Sequence, residues 1–260
     1  MALRYQEYGE KNAPLIVFLH GGGVSGWMWD KQIPHFMNYH CLVPDLPWHG
    51  KSDNHLPFSI KESASEVIDL IEEKAEGKEV NLVGFSLGAQ VIIQILGMKP
   101  DLANRAIINS ALVRPVPYAK KIIKPIIRMS YPFVKYRWFS KLQAKTLYIG
   151  DDHFEQYYRE SRQMKQDALV KVLEENMSFG IPENFQEAKG RILVTVGEEE
   201  KAVMRKSAVD VVRSNQNCTG ILIPGIGHGA PLAKPECFNQ IVETWIKDEA
   251  VPTECSRIRA

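Results

Sequence analysis

The 260-residue chain has only four cysteines, Cys41, Cys218, Cys237 and Cys255, and none stands in a Cys-x-x-Cys spacing. Neither a disulfide framework nor a cysteine-built zinc site is therefore expected, and free thiols are the reading. Charge of one sign is missing too: 32 Lys and Arg against 31 Asp and Glu leave a net charge of +1, which argues against a general nucleic-acid binder. No run approaches the ~20 apolar residues of a membrane span, and the opening residues MALRYQEY lack the apolar stretch of a signal peptide. Cytoplasmic residence is the default expectation. The sequons at Asn176 and Asn217 then carry no weight. A phosphate-binding loop ending at Gly50-Lys51-Ser52 would need a glycine where Asp45 stands, and no dinucleotide fingerprint occurs. No metal or organic cofactor is expected.

What the chain does contain is Gly84-Phe85-Ser86-Leu87-Gly88, placed between the apolar run Val80-Asn81-Leu82-Val83 and a helix-like stretch from Ala89 to Leu96. Strand, sharp turn and helix with a serine at the turn is the geometry that lifts a hydroxyl clear of a sheet, and so tight a turn needs glycines on both sides. A serine hydroxyl is a weak nucleophile at neutral pH. It needs an imidazole within reach, and the imidazole needs an acid to fix its tautomer and stabilise its charged form. The strand-like Ile221-Leu222-Ile223 leads into Pro224-Gly225-Ile226-Gly227-His228-Gly229, which makes His228 the candidate base. The strand-like Arg191–Val196 is followed by Gly197-Glu198-Glu199-Glu200, where three carboxylates compete for the acid.

Acyl transfer also needs donors aimed at the oxyanion. The strand-like Leu15–Leu19 runs into His20-Gly21-Gly22-Gly23, whose glycines leave backbone N–H groups open. The N–H of Gly22 and that of Leu87, next after the serine, are the candidate oxyanion donors.

Together with the loop Asp45-Leu46-Pro47-Trp48-His49-Gly50-Lys51-Ser52-Asp53, these segments resemble the α/β-hydrolase superfamily, and within it the serine-dependent, esterase-like members that carry a helical cap. The resemblance covers nearly the whole chain. It implies a mostly parallel central sheet with helices on both faces, an inserted helical cap, and a Ser86, His228 and acid triad. In relatives the acid usually stands three residues after the strand-loop glycine, which selects Glu200. There it is more often Asp than Glu. An alternative position after Arg105–Asn109 has no candidate, since no Asp or Glu occurs from Asn109 through Gly150. Trp48 stands where relatives often have glycine, which would bring an indole near the pocket mouth.

Strand-like and helix-like segments alternate along the chain, as a sheet covered on both faces requires. Ser59-Ile60-Lys61-Glu62 reads as a capping box opening a helix that Gly77 stops, and Phe238, Ile241, Val242, Trp245 and Ile246 form the buried stripe of the last helix. Between about Arg114 and Ala188 the alternation breaks into proline-punctuated helical runs rich in aromatics. The expected division is a core of residues 1–113 and 189–260 with a helical cap at 114–188. A substrate pocket between the two is expected to use Trp27, Trp29, Trp48 and Phe85.

The expected activity is hydrolysis of an ester-like bond in a small, mainly apolar carbonyl substrate through an acyl-enzyme. Alternatives are carbon–carbon hydrolysis by the same machinery, or a weakly catalytic ligand receptor. From Arg114 to Gly150 there are nine basic residues and no acid. The preferred reading is a solvated face partly neutralised by Asp151, Asp152, Glu155 and Glu160. The other is a basic amphipathic surface that draws the cap to anionic lipid or to an anionic substrate.

Overall fold

The computed structural model describes residues 3–52 and 57–258, with the backbone alone at Lys120. Asp53, quoted with the 45–53 loop, and the Lys120 side chain lie outside the described residues. Eight strands form one sheet: β1 (Tyr5–Gly9), β2 (Leu15–Leu19), β3 (His40–Pro44), β4 (Val80–Phe85), β5 (Arg105–Asn109), β6 (Arg191–Gly197), β7 (Cys218–Ile223) and β8 (Ser256–Arg257). Their order is β1-β3-β2-β4-β5-β6-β7-β8. The inner six run parallel, and β1 and β8 close the edges antiparallel.

Nine helices occur among the described residues. They are α1 (Ile60–Ala75), α2 (Leu87–Met98), α3 (Ala119–Ser130), α4 (Arg137–Thr146), α5 (Asp151–Gln163), α6 (Gln166–Ser178), α7 (Ala202–Ser214), α8 (Ala230–Ala233) and α9 (Pro235–Asp248). Side-chain alternation along the strands divides the core into two layers. Leu15, Val17 and Leu19 of β2 join Leu82, Ile108 and Val194 beneath α1, α2 and α7. Ile16 and Phe18 of the same strand join Val83, Ile107 and Leu193 on the opposite face, against Phe238, Ile241 and Trp245 of α9. Strands covered on both faces read as continuous apolar runs, which is why β2 is Leu-Ile-Val-Phe-Leu, buried throughout.

Local signals set the helix ends. Ser59 accepts the Glu62 N–H at 3.0 Å, a cap worth about 1 kcal/mol, and left-handed Glu76 and Gly77 turn the chain out after α1. Pro235 occupies the first turn of α9, where its missing N–H costs nothing. Helix α2 is apolar on nearly all sides and buried accordingly.

Two features of this topology position the site. First, β2 has β3 on one side and β4 on the other, so the chain reverses its direction of travel across the sheet there. A crevice opens beyond the carboxyl ends of strands at such a switch point. Second, the chain between β5 and β6 contains helices α3 to α6 and no strand among the described residues. No helix of the described residues is long and apolar enough to cross a membrane.

Candidate active site

The turn after β4 is built by its glycines. A Cβ on Gly84 would lie 2.7 Å from the Gly88 backbone, and a Cβ on Gly88 would overlap the Leu19 carbonyl. Only hydrogen at both positions lets α2 start this close to β2 and β4. Between them Ser86 takes φ 52° and ψ −108°, a strained conformation for a residue with a side chain. Its N–H is anchored on the Asn109 carbonyl at 2.9 Å. One turn later the buried Gln90 bonds Leu112 O and exchanges bonds with Asn176 on α6, which ties the helix behind the serine to the β5–β6 insertion.

Ser86 Oγ lies 3.2 Å from His228 Nε2, and His228 Nδ1 lies 2.9 Å from Glu200 Oε2. With Nδ1–H donating to the carboxylate, Nε2 is free to accept the serine hydroxyl proton. The three predicted residues thus come together from the ends of β4, β6 and β7. Gly197 makes the approach of the last two feasible, because a Cβ there would collide with the carbonyls of Ile226 and Gly227 on the histidine loop.

Glu200 is buried at 4% exposure, whereas Glu198 and Glu199 face solvent. Glu198 instead accepts the Gly225 N–H at 3.1 Å. Burial by itself would raise the Glu200 pKa. The bond and charge of His228 outweigh it, helped by the Ser110 hydroxyl at 2.5 Å and the Gly197 N–H at 3.2 Å, and hold the carboxyl below its ordinary range. Ser110 is a residue that the sequence reading missed. It occupies the position after β5 where no acid was found, takes a left-handed φ of 58°, and turns its hydroxyl onto Glu200.

The oxyanion candidates are adjacent: a Cβ on Gly22 would stand 3.7 Å from Leu87 Cδ2. Neither Gly22 N–H nor Leu87 N–H donates a hydrogen bond among the described residues. Neighbouring groups fix the glycine loop. Gly21 N–H is held by Met28 Sδ at 3.3 Å. His20, fully buried, donates from Nδ1 to Gly21 O and accepts the Leu46 N–H on Nε2. Burial pushes its pKa down to about 4, so the ring is a neutral brace. His49 packs edge-on against it with centroids 5.2 Å apart, pushed down to about 3 by burial and by His20.

The four aromatic pocket candidates separate. Phe85 packs its ring on His228, centroids 4.9 Å apart. Trp48 lines a cavity of about 180 Å³, together with Gly23, Val24, Leu147, Met164 and Leu169. Its φ of 68° is left-handed, a conformation that favours glycine and is an outlier for a bulky residue. Ser86 and His228 do not line this cavity; Gly23, next in sequence to Gly22, does. Trp27 borders a different hollow, where its Nε1 donates to Glu160 at 2.9 Å.

Trp29 corrects the expectation. Its ring is fully buried against Phe18 and Phe238, with centroids 5.3 and 6.0 Å away, and it lines neither hollow. The short 3₁₀ turn at Gly26–Trp29 places it in the core layer that faces α9. Tyr148, one of the aromatics of the 114–188 stretch, lies against Gly227 and Gly229 on both sides of His228. Among the described residues no three His, Cys, Asp or Glu side chains gather as a metal-binding set.

Residues 16–238 match the profile of the alpha/beta hydrolase family. The chain belongs to that family. The (E)-2-((N-methylformamido)methylene)succinate hydrolase of Acinetobacter baylyi is 23% identical over 258 residues, covering 94% of this chain and 93% of that protein. A shorter stretch of 96 residues is 32% identical to an AB hydrolase superfamily protein of Gibberella zeae, spanning 36% of this chain and only 34% of that relative. Among solved structures, the enol-lactonase of Burkholderia xenovorans superimposes with a TM-score of 0.80 at 15% identity, covering 95% of this chain and 96% of that one. At that identity the likeness speaks for the fold alone.

Proposed function

We propose that this family member is a serine hydrolase that cleaves an ester-like bond of a small, mainly apolar carbonyl substrate through an acyl-enzyme. The observation that carries this reading is the chain of contacts Ser86 Oγ to His228 Nε2 at 3.2 Å and His228 Nδ1 to the buried Glu200 at 2.9 Å. In this reading Ser86 Oγ attacks the carbonyl carbon as its proton passes to Nε2. Glu200 stabilises the imidazolium, and the N–H groups of Gly22 and Leu87 meet the negative charge on oxygen. Collapse of the tetrahedral adduct expels the alcohol, which takes the proton from His228. Water then attacks the acyl group, giving its proton to His228, and Ser86 leaves reprotonated as the carboxylic acid departs.

Val24, Trp48, Leu147, Met164 and Leu169 in the wall of the nearby cavity support a mainly apolar substrate, with Ser52, Gln143, Glu160 and Ser161 supplying polar contacts, and its size of about 180 Å³ supports a small one. Residues 114–188 act as the cap in this proposal. Its support is that Glu160 on α5 holds both Ser25 and Trp27 of the loop after β2, while Tyr148 lies over the histidine loop.

The test is labelling by a fluorophosphonate probe alongside hydrolysis of nitrophenyl esters of increasing chain length. Labelling and turnover are expected, and Ser86→Ala should abolish both, by on the order of 10⁶ in kcat if the three residues act as a unit, with an unchanged circular dichroism spectrum. Poor labelling with slow turnover would mark a ligand receptor instead. A Ser86→Ala protein that keeps most of its esterase activity would overturn the assignment at its root.

A further inference from the structure

The β5–β6 insertion carries a surface that the hydrolytic chemistry does not use. Helix α3 has two apolar stripes. Ala119 and Ile123, with Ile127 beside them, pack on Val170 and Leu173 of α6. One step round the helix, Tyr118, Ile122, Ile126 and Met129 stand at 72%, 47%, 50% and 72% exposure. Helix α4 continues the pattern with Trp138 at 62% and Leu142 at 59%. Phe133, in the turn that joins the two helices, contacts Trp138 with ring centroids 6.4 Å apart. Single exposed apolar residues are ordinary, but a cluster of this kind marks an interaction surface.

The charge around this cluster is mainly positive. Lys121, Lys124, Arg128, Lys135, Lys141 and Lys145 are exposed and form no ion pair among the described residues. Of the carboxylates in the following segment, Asp151 is exposed and forms no ion pair among the described residues, while the other three have partners of their own. Asp152 pairs with Lys31. Glu160 binds Ser25 and Trp27. Glu155 offsets Arg137, one of the cations of α4 itself. What is left is a surface of aliphatic and aromatic side chains interleaved with uncompensated cations.

We propose that the outer face of α3 and α4 docks onto an anionic lipid bilayer. Amphipathic helices with lysine and arginine beside tryptophan and leucine lie in the interface plane, with the apolar side chains among the acyl chains and the cations at the headgroups. Two other occupants fit less well. A second copy of the chain would set this face against itself in a two-fold contact, bringing like charges together. The core of a protein interface is depleted in lysine, whereas here the lysines interleave with the apolar residues.

The test is flotation with vesicles of phosphatidylglycerol and phosphatidylcholine, and with vesicles of phosphatidylcholine alone, using Ser86→Ala protein so that no ester is consumed and the outcome is independent of the proposed chemistry. Binding is expected to the anionic vesicles and to weaken about tenfold or more between roughly 0.1 M and 0.5 M salt, because screening shortens the reach of the cations. The Lys121→Gln, Lys124→Gln, Arg128→Gln triple variant should bind on the order of 10²-fold more weakly, each cation near such a surface contributing about fivefold. Trp138→Ala should lose on the order of tenfold. Thermal melting of each variant establishes that it is folded. Equal, salt-insensitive recovery with both vesicle types, or none with either, overturns the proposal. So does binding of polyglutamate as tight as that of vesicles and indifferent to Trp138→Ala, or a dimer in solution that Trp138→Ala dissociates.

Discussion

Acidification between pH 7 and pH 5 should destabilise the fold through two histidines that brace the site. His20 and His49 are buried at 0% and 2% exposure, with pKa values pushed down to about 4 and about 3. In the unfolded chain both return to about 6.5. Their folded-state pKa values are depressed, so the unfolded state binds more protons throughout this window and stability falls as pH falls. Each group loses about 1.4 kcal/mol per pH unit once the pH is well below 6.5, so the pair removes about 4 kcal/mol by pH 5. That is a large share of the 5–15 kcal/mol typical of a domain. Carboxylates held below their ordinary range, such as Glu200 and Glu7, act in the same direction. Their loss begins only near their unfolded value of about 4.4, outside this window. Urea unfolding followed by tryptophan fluorescence at pH 7, 6 and 5 measures the effect. His49→Asn, whatever it costs at pH 7, should halve the pH dependence to about 2 kcal/mol. A fall of less than about 1 kcal/mol in the native protein, or the full fall in His49→Asn, would refute the neutral-brace account.

Two further perturbations separate residues that sequence alone leaves equivalent. Glu200→Gln should cost on the order of 10²–10⁴ in kcat, with Glu198→Gln and Glu199→Gln within a few fold, because only Glu200 is buried against His228; steady-state kinetics of the three variants would refute this by a severe loss at either of the others. Gly88→Ala should abolish folding or cost more than about 3 kcal/mol, since its Cβ meets the backbone carbonyls of Leu19 and His20 rather than a movable side chain. Gly180→Ala, with nothing near its Cβ, should stay within about 0.5 kcal/mol, and equal urea midpoints for the two variants would contradict the packing argument.

The strands and the turn were legible because their causes are local. A strand buried on both faces favours apolar residues on each, so β2, β4 and β6 announce themselves as mostly apolar runs, interrupted by Asn81 and Thr195. The serine turn is legible at Gly84 because the clash that demands it is with Gly88, four residues on, whereas Gly88 is demanded by the carbonyls of Leu19 and His20 on another strand end. His228 follows from a strand end and chain order. Ser59 and Pro235 mark helix starts through bonds made or relinquished within one turn.

Glu200, Trp29 and the basic stretch mark the limit. Three successive glutamates are chemically alike. Which one turns inward is decided by how Gly197 seats against the histidine loop and by the Ser110 hydroxyl arriving from another strand end. Trp27 and Trp29 are two residues apart, yet one reaches Glu160 on α5 and the other sinks between Phe18 and Phe238, because a 3₁₀ turn rather than a strand connects them. The composition of 114–150 fixes nine cations without an acid. Whether the neighbouring carboxylates neutralise them is a matter of direction in space. Lys31, Ser25 and Trp27 draw Asp152 and Glu160 away towards the core, and electrostatic pairing over a few ångströms depends on that tertiary placement, not on closeness along the chain.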